Sequence, residues 1–572
     1  MDWQRRAQEL ERLYKVGVAL SAEQNKDRLV EMILLEAKDL CRADGGTLYL
    51  AVDGATAAGK HEPTHLRFAI LRNDTLKIAR GGTTGEPIDL APVPLFDDKG
   101  EPNHKNVASY CATTKKSVNV ADAYHEPGFD FSGTKAFDER TGYRSHSFLT
   151  IPMLNNEQRV IGVLQLINAR DEGDVVVEFD AVQQEIVEAL ASQAAVALDN
   201  QQLLASQKEL LESFIKLIAN AIDAKSPYTG GHCTRVPIIT EMLAKAACDA
   251  VDGPLAGFSL DDDGWYELRI AAWLHDCGKV VTPIHVMDKA TKLEVIHDRI
   301  HGVRARFEIA RRDIQLALLK LAVAAGDPHP GAIDEHAALT KDLEQLDVDL
   351  TFLEVANVGG EFLPPDKQAR IKEIAKRQIV IGGQPQPLLT ADEVDNLCIS
   401  RGTLSEDERL IINGHMVQTI VMLEALPFPR NLRRVPEYAG GHHEKMDGTG
   451  YPKGIWGGDM SIPARMMAVA DVFEALTAQD RPYKKAKSLS ETMKIMAFMK
   501  KDNHLDPVLF DFFITSGVYR KYAEEHLPKE LIDVVDEAAL LAMQPKPHAL
   551  PPEPERLARK GAFLPQYQKL AR

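Results

Sequence analysis

The sequence predicts a multidomain protein in which an α+β amino-terminal domain is joined by one long helix to an all-α bundle with a helical insertion. The 572 residues are too many for one hydrophobic core. Strand patterns occur before about residue 180, whereas later apolar residues keep helical spacing almost to the end. We therefore expect domains over 5–180 and 223–540, a linker helix over 181–222, an insertion over about 298–407 and a tail over 541–572.

Composition is typical of a water-soluble protein. Hydrophobic residues make up 45% of the chain and charged residues 26%. No apolar run approaches the roughly 18 residues of a membrane-spanning helix, so we expect no membrane insertion. The formal net charge of −17 argues against binding of a nucleic-acid polymer, whose phosphates need a basic surface. Six cysteines without CxxC pairs, and an amino terminus without an apolar signal core, predict a cytoplasmic location.

The amino-terminal domain combines helical and strand patterns. Helical spacing over residues 4–40 predicts an amphipathic helix. A polar stretch over roughly 73–144 predicts a long loop that covers a ligand or is disordered. A mostly antiparallel sheet is expected. Its predicted strands are 47–52, 66–71, 147–154 and 160–168.

One uninterrupted helical pattern follows over residues 179–222, without proline or glycine. A helix of this length commonly pairs with a copy of itself, which predicts a homodimer through the linker helix. The alternative is a helix whose first half packs on the sheet. The small residues that would allow close helix approach are Ala189, Ala191, Ala194, Ala195 and Ala197.

An insertion in the middle and a tail at the end are predicted within the second half of the sequence. Two long helical patterns, 300–325 and 333–354, are followed by connectors rich in proline and glycine and carry no ligand constellation, which predicts a helical insertion. The composition of PKPHALPPEPE, residues 545–555, predicts an extended, poorly ordered tail.

Five histidines and two aspartates lie in short, widely separated motifs of the helical half. Imidazole nitrogens and carboxylate oxygens without thiolate suit iron, manganese or zinc. Because one ion takes three or four protein ligands, seven candidates indicate two divalent ions about 3.5–4 Å apart, bridged by a carboxylate and able to activate water for attack on a phosphoryl group. The candidate ligands are His232, His275, Asp276, His415, His442, His443 and Asp471.

Taken singly, each candidate has a structural explanation, because a lone histidine such as His415 is more often a surface or core residue than a ligand. The combination carries the signal. His285, His297 and His301 lie in a charged stretch and are expected to be solvated. Cys233 and Cys277 adjoin candidates, but neighbouring side chains on a helix face elsewhere, so neither is counted as a ligand.

Three runs, HDCGKVVTP, HHEKMDGTGYPKG and DVFEALTAQDRPYKK, resemble the HD-GYP family of cyclic di-GMP phosphodiesterases. The resemblance covers roughly residues 223–524 and implies an all-helical HD-domain bundle. It implies that Asp276 bridges the ions and that Lys279 stabilises the scissile phosphate. It assigns His232, His275, Asp276 and Asp471 to one ion, Asp276, His415, His442 and His443 to the other, and Gly450, Tyr451, Pro452, Arg481 and Lys484 to substrate.

The same resemblance implies that GGDEF-domain proteins dock on the GYP loop. Some family members bind a third ion through a glutamate near the first histidine. Here Tyr228 stands four positions before His232, which implies two ions, with Asp223 left as an outer ligand. The alternative for Arg481 and Lys484 is an exposed basic patch.

Residues 5–200 resemble a GAF domain, through FDERTGYRSHSFLTIPM, VIGVLQLINARDE and FDAVQQEI. Asn168 and Asp180 match positions of the cyclic-nucleotide-binding signature, but Ala169 and Ala181 replace its lysine and glutamate. The resemblance therefore implies a sensor for an unidentified small molecule, or a dimerising role.

The expected function is metal-dependent hydrolysis of cyclic di-GMP to pGpG and then to GMP, regulated by the GAF-like domain. One alternative is a phosphohydrolase for another cyclic dinucleotide. The other is a non-catalytic module that binds cyclic di-GMP or docks a GGDEF partner. The complete set of ligand candidates disfavours the non-catalytic alternative.

Overall fold

A computed structural model describes residues 2–55, 61–225, 231–325, 330–359, 362–478 and 486–571. The chain forms two units, Met1–Leu211 and Glu212–Arg572, called here the amino-terminal and carboxy-terminal units. The first is α+β with an antiparallel sheet and the second is mostly helical. The predicted fold class is confirmed.

The sheet of the amino-terminal unit has the strand order β3-β2-β1-β7-β6-β5, with β4 paired to β2 and β8 to β7. The four predicted strands correspond to β1, β2, β6 and β7. The strands span Ala43–Ala55 (β1), His61–Asn73 (β2), Ile78–Gly81 (β3), Val93–Pro94 (β4), Val118–Val120 (β5), Phe148–Leu154 (β6), Val160–Arg170 (β7) and Val176–Val177 (β8).

The helices of this unit differ from the prediction in two places. The helix expected over 4–40 is divided into α1 (Asp2–Ala22) and α2 (Lys26–Cys41), because Asn25 caps α2 by accepting hydrogen bonds from two backbone N–H groups. The stretch predicted as one polar loop is largely structured. It contains β3 to β5 and two helices too short to show periodicity, α3 (Val107–Thr114) and α4 (Ser132–Thr141).

Helix α5 (Ala181–Lys225) is 45 residues long. Near its start, Val187, Leu190 and Ala194 are buried in the core of the amino-terminal unit. Near its end, Ile215, Ala219 and Ile222 are buried in a core of the carboxy-terminal unit. Apolar side chains between these groups are exposed, and pairing through this helix stays a prediction. They include Leu203, Leu204, Leu210 and Phe214.

The carboxy-terminal unit is a helical bundle around α16, which buries Met466, Val469, Ala470 and Phe473. Among the described residues, no helix combines the length and apolar character needed to cross a membrane. The helices outside the expected insertion are α6 (His232–Cys248), α7 (Asp262–Leu274), α8 (Ile284–Met287), α13 (Glu406–Asn413), α14 (His415–Glu424), α15 (Val435–Gly440), α16 (Ile462–Thr477), α17 (Leu489–Lys501), α18 (Pro507–Thr515), α19 (Val518–His526), α20 (Glu537–Ala542) and α21 (Glu553–Lys560).

The segment expected as a helical insertion has its own core and an unpredicted hairpin. Strands β9 and β10 are joined at Gly382 and Gly383, whose positive φ angles of 60° and 78° suit a two-residue hairpin turn. Part of the connector rich in proline and glycine therefore forms a two-stranded antiparallel hairpin. The elements are α9 (Ile300–Ala325), α10 (Pro330–Asn357), α11 (Pro365–Ile374), β9 (Gln378–Ile381), β10 (Gln384–Pro387) and α12 (Ala391–Leu397).

Residues 545–552 of the segment predicted to be extended and poorly ordered contain no helix or strand, and α21 begins at Glu553. The predicted extended conformation therefore agrees with the structure over 545–552, and residues 553–555 form the first turn of α21 instead. A 3-10 turn, Pro565–Tyr567, follows α21. Tyr567 is buried at 5% exposure.

Gly278 sets how closely the 3-10 turn Cys277–Val281 approaches α14. Its N–H donates to Thr419 Oγ1 at 2.9 Å. A Cβ at this position would lie 1.9 Å from the carbonyl oxygen of His415 and 2.5 Å from the backbone nitrogen of Thr419. The approach therefore requires glycine.

We expect Gly278→Ala to lower the free energy of unfolding by about 3 kcal/mol, the upper end for overpacking, because the added methyl group meets backbone that cannot rotate away. Urea denaturation followed by circular dichroism measures it. Gly458→Ala is the control, since its Cβ would meet nothing within 4 Å. Equal stability of the two variants would contradict the close approach.

Candidate metal centre

The first cluster consists of His232, His275, Asp276 and Asp471, whose ligand atoms lie within 4.8 Å of one another. His232 starts α6, His275 and Asp276 follow α7, and Asp471 lies in the middle of α16. His232 Nε2 lies 3.2 Å from Asp276 Oδ2 and 3.3 Å from Asp471 Oδ1. His275 Nε2 lies 3.3 Å from the same Asp276 oxygen.

The second cluster shares Asp276 and adds His415, His442 and His443, again within 4.8 Å. His415 Nε2 lies 3.3 Å from Asp276 Oδ1. The two carboxylate oxygens of Asp276 therefore face different clusters, Oδ2 the first and Oδ1 the second. This is the arrangement of a carboxylate that bridges two ions.

Three of the histidines are oriented in the same way. The Nδ1–H of His275 donates to Ala272 O at 2.8 Å, and that of His442 to Ala439 O at 2.6 Å. His415 makes the equivalent bond to Ile412 O. Each acceptor is the backbone carbonyl three residues earlier, and the bond directs Nε2 into the centre. Such outer hydrogen bonds fix the tautomer that a metal ligand needs.

Glu474 orients the His232 ring through Nδ1, and it is not among the site residues predicted from the sequence. It is 1% exposed, accepts a hydrogen bond from His232 Nδ1, and accepts another from Arg235 Nε at 2.6 Å. It lies one helical turn after Asp471 on α16. That spacing was the available signal, because residues three apart on a helix share a face.

Buried atoms without hydrogen-bond partners indicate that a cation fits here. Among the described residues, Asp276 Oδ1, His415 Nε2 and His442 Nε2 are buried and accept no hydrogen bond. Such atoms are rare in folded proteins because desolvation is unfavourable without a partner. All three point into the second cluster, where an ion would satisfy them together.

The protonation states of His442, His443 and Asp276 suit metal binding. Burial, and then the neighbouring His275, lower the pKa of His442 to about 4. Burial and His442 hold the pKa of His443 well below its ordinary value. Both rings are therefore neutral near pH 7, with a lone pair available. Burial acts to raise the pKa of Asp276, but the charges of Lys279 and His275 outweigh it and hold the pKa well below the usual range.

Lys279 lies against the bridging carboxylate rather than free in the centre. Its Nζ donates to Asp276 Oδ2, and its side chain is 21% exposed. The ammonium group therefore partly neutralises Asp276. Its contact with a substrate phosphate stays a prediction.

The GYP loop packs directly on the second cluster. The Tyr451 ring stacks on the His443 ring, with centroids 4.9 Å apart and planes 15° from parallel. A Cβ on Gly450 would lie 2.3 Å from the Lys445 backbone nitrogen, so glycine is required for the loop to close. Glu444, which was not predicted as a site residue, is 1% exposed and holds the backbone of the loop. It accepts hydrogen bonds from Lys453 N at 2.7 Å and Ile455 N at 2.9 Å.

A cavity of about 770 Å³ opens onto this centre, and Tyr451, His442, His443 and Asp471 line it. Three cationic side chains lie in the same wall. Lys289 is fully buried and paired with Glu408 at 2.7 Å. Among the residues with described side chains, Arg409 and Lys445 form no ion pair, so their charges are available to an anion in the cavity.

Several other residues predicted from the sequence lie outside the two clusters or outside the described residues. Arg481, Lys484 and Tyr228 lie outside the described residues. Asp223 accepts a hydrogen bond from Gly231 N at 3.0 Å, so it stabilises the start of α6 from outside both clusters. His285, His297 and His301 are exposed, as expected.

The cysteines beside the ligands and the GAF signature positions have structural roles. Burial raises the pKa of Cys277 to about 12 and raises that of Cys233 still further, so both thiols stay protonated. Asn168 Nδ2 donates to Tyr143 Oη and Arg144 O, both at 2.8 Å, and so holds a loop to β7. Asp180 caps α5 by accepting from Gln183 N at 2.7 Å.

Comparisons with known families agree with this architecture. A model of the GAF domain matches residues 25–198, and a model of the HD domain matches residues 363–509. The HD match includes His415, His442, His443 and Asp471, and it begins inside the expected insertion, whose bounds stay a prediction. The chain thus contains a GAF domain followed by an HD-domain region.

Curated relatives match part of the chain. The 3'3'-cGAMP-specific phosphodiesterase 1 of Vibrio cholerae is 42% identical over 116 residues, 20% of this chain and 26% of the relative. A probable cyclic di-GMP phosphodiesterase of Vibrio cholerae is 33% identical over 141 residues, 23% of this chain and 32% of the relative. A cyclic di-GMP phosphodiesterase of Pseudomonas aeruginosa is 46% identical over 79 residues, 14% of this chain and 18% of the relative. The chain thus spans under a third of each relative.

We expect Glu474→Gln to weaken metal binding at the first cluster by about 10–100-fold, because the amide is a poorer acceptor for His232 Nδ1–H. Isothermal titration of the chelator-treated full chain with Mn²⁺ measures this. Asp249→Asn, which removes the exposed ion pair between Asp249 and Lys245, is the control. Unchanged affinity in Glu474→Gln would show that Glu474 does not orient the ligand.

Proposed function

We propose that the carboxy-terminal unit is a phosphodiesterase that hydrolyses cyclic di-GMP to pGpG and then to GMP. One observation carries the proposal: Asp276 places one carboxylate oxygen in each of two His/Asp clusters beside an open cavity. In a phosphodiesterase, paired ions bridged in this way activate a water and stabilise charge on the phosphoryl group. Iron and manganese suit the donor set best, and zinc also fits.

The residues of the chain would act in three ways. His232, His275, Asp276 and Asp471 would hold one ion, and Asp276, His415, His442 and His443 the other. Lys279, beside Asp276, would limit the negative charge that an incoming phosphate meets. Arg409 and Lys445 would attract the second phosphate of a cyclic dinucleotide, and Tyr451 offers an aromatic face at the cavity wall. Arg481 and Lys484 are further candidates for phosphate contacts.

The proposal also includes the location, the oligomeric state and the regulation of the enzyme. We place it in the cytoplasm, as a homodimer through α5, with a small molecule bound by the GAF domain controlling turnover. GGDEF-domain proteins are proposed partners at the GYP loop. What supports this setting is the GAF domain that precedes the HD region and the exposed apolar stretch of α5.

A second substrate has specific support. The Vibrio cholerae relative that is 42% identical over 116 residues is named as specific for 3'3'-cGAMP. That substrate differs from cyclic di-GMP in one base, so both would present the same two phosphates to the centre. Side chains around the bases would decide between them.

Asp276→Asn should lower kcat on the order of 10³-fold, because the loss of a bridging charge removes several kcal/mol of transition-state stabilisation. Release of pGpG from cyclic di-GMP, followed by chromatography, measures this. The exposed Asp252→Asn is the control and should keep full activity. Near-normal turnover in the Asp276 variant would show that the bridging carboxylate is not needed for hydrolysis and would refute the two-ion mechanism.

Turnover measured in parallel on cyclic di-GMP, 3'3'-cGAMP and cyclic di-AMP separates the substrates. We expect the highest kcat/KM for cyclic di-GMP. A higher kcat/KM for 3'3'-cGAMP would transfer the proposal to that substrate, and no hydrolysis of any dinucleotide by metal-loaded protein would refute it.

Lys445→Met should raise KM about 10-fold and change kcat little, because a cation that contacts a non-reacting phosphate stabilises substrate and transition state equally. Initial rates over a range of substrate concentrations measure this. Lys494→Met, on the exposed face of α17, is the matched control. A fall in kcat at constant KM would place Lys445 at the reacting phosphate instead.

A further inference from the structure

Residues 553–571, called here the carboxy-terminal strap, lie against the GYP loop. The backbone N–H of Leu564 donates to Pro452 O at 2.9 Å. Lys453 Nζ lies 5.5 Å from the centre of the Phe563 ring. Earlier in the strap, the Arg559 guanidinium lies 5.5 Å from the Trp456 ring. One side of the loop is therefore covered by the chain's own carboxy-terminal segment.

The far end of the strap contacts the start of α14. Asn413 Nδ2 donates to Tyr567 Oη at 3.3 Å, and Gln418 Nε2 donates to Leu570 O at 2.5 Å. A Cβ on Gly414 would lie 2.7 Å from Leu570 Cδ1. These contacts lie on both sides of His415 in the sequence.

Tyr567 connects these two sets of contacts. It is buried, and its ring centre lies 6.2 Å from that of Tyr451. Tyr451 in turn stacks on His443. The strap therefore touches α14, which carries His415, and the GYP loop, which stacks on His443, so it contacts elements on two sides of the second cluster.

The strap does not contact the first cluster in the same way. Its two ion pairs, Arg556 with Asp459 at 2.5 Å and Lys560 with Asp459 at 3.9 Å, lie before the start of α16. Among the described residues, no hydrogen bond or ion pair of the strap reaches α6, α7 or α16, which carry the first cluster. Loss of the strap should therefore weaken metal binding at the second cluster more than at the first.

We propose that Tyr567 and the strap are positioning elements for the second metal ion. They hold the GYP loop and the start of α14 at the separation at which His415, His442 and His443 converge on Asp276. This rests on the proposed function, since it requires two ions. Without the strap, the loop and α14 would be free to move apart, and the second ion would be held less tightly.

The test is titration of chelator-treated full-length protein with Mn²⁺ by calorimetry, with bound metal counted by elemental analysis. Wild type should bind two ions. Tyr567→Ala should bind the first ion with unchanged affinity and the second about 10–100-fold more weakly. Tyr567→Phe, which keeps the ring, should lie within a few fold of wild type. Lys546→Ala, which removes an exposed ion pair with Asp502 before the strap, is the matched control.

Gln418→Met provides a second variant that keeps the side-chain volume but loses the hydrogen bond to Leu570, and it should weaken the second ion to a smaller extent. Equal weakening of both ions, or unchanged binding in Tyr567→Ala and Gln418→Met, overturns the positioning role. Fewer than two ions on wild type refutes the two-ion centre itself, a result that the variants do not influence.

Discussion

The carboxy-terminal unit is organised around one buried charge, the carboxylate of Asp276. Its side chain is 2% exposed, and an ionised carboxylate at that depth is strongly unfavourable unless cations surround it. Lys279 supplies one positive charge, and the imidazoles on both sides supply dipoles and lone pairs directed inward. Two bound cations would complete the neutralisation and would couple the folding of this unit to metal binding.

The same type of hydrogen bond orients three of the histidines in the two clusters. His275, His415 and His442 each donate Nδ1–H to the carbonyl of the residue three positions earlier, so a single backbone turn fixes each ring. Buried carboxylates act around this framework. Glu474 orients His232, and Glu444 folds the GYP loop over His443. Because the strap covers one side of that loop, a protein that docks there has to displace it.

Much of this could be predicted from the sequence, and the omissions have physical reasons. Long periodic segments such as α5 and the combination of the HD and HH pairs stand out without coordinates. Short helices such as α3 show too few turns for periodicity. Glu444 carries no signal as an isolated acidic residue, and Glu474 carries only its spacing from Asp471, because the role of each depends on the groups that folding brings to it. The packing of the strap was not predicted, because it depends on a few anchors, Tyr567 above all, in a segment of otherwise polar composition.

The most direct test of the bridging role of Asp276 is anomalous diffraction from crystals of the full chain loaded with Mn²⁺. Two anomalous peaks about 3.5–4 Å apart, one beside each oxygen of Asp276, are the predicted result. A single peak, or two peaks of which neither lies beside Asp276, would contradict the account.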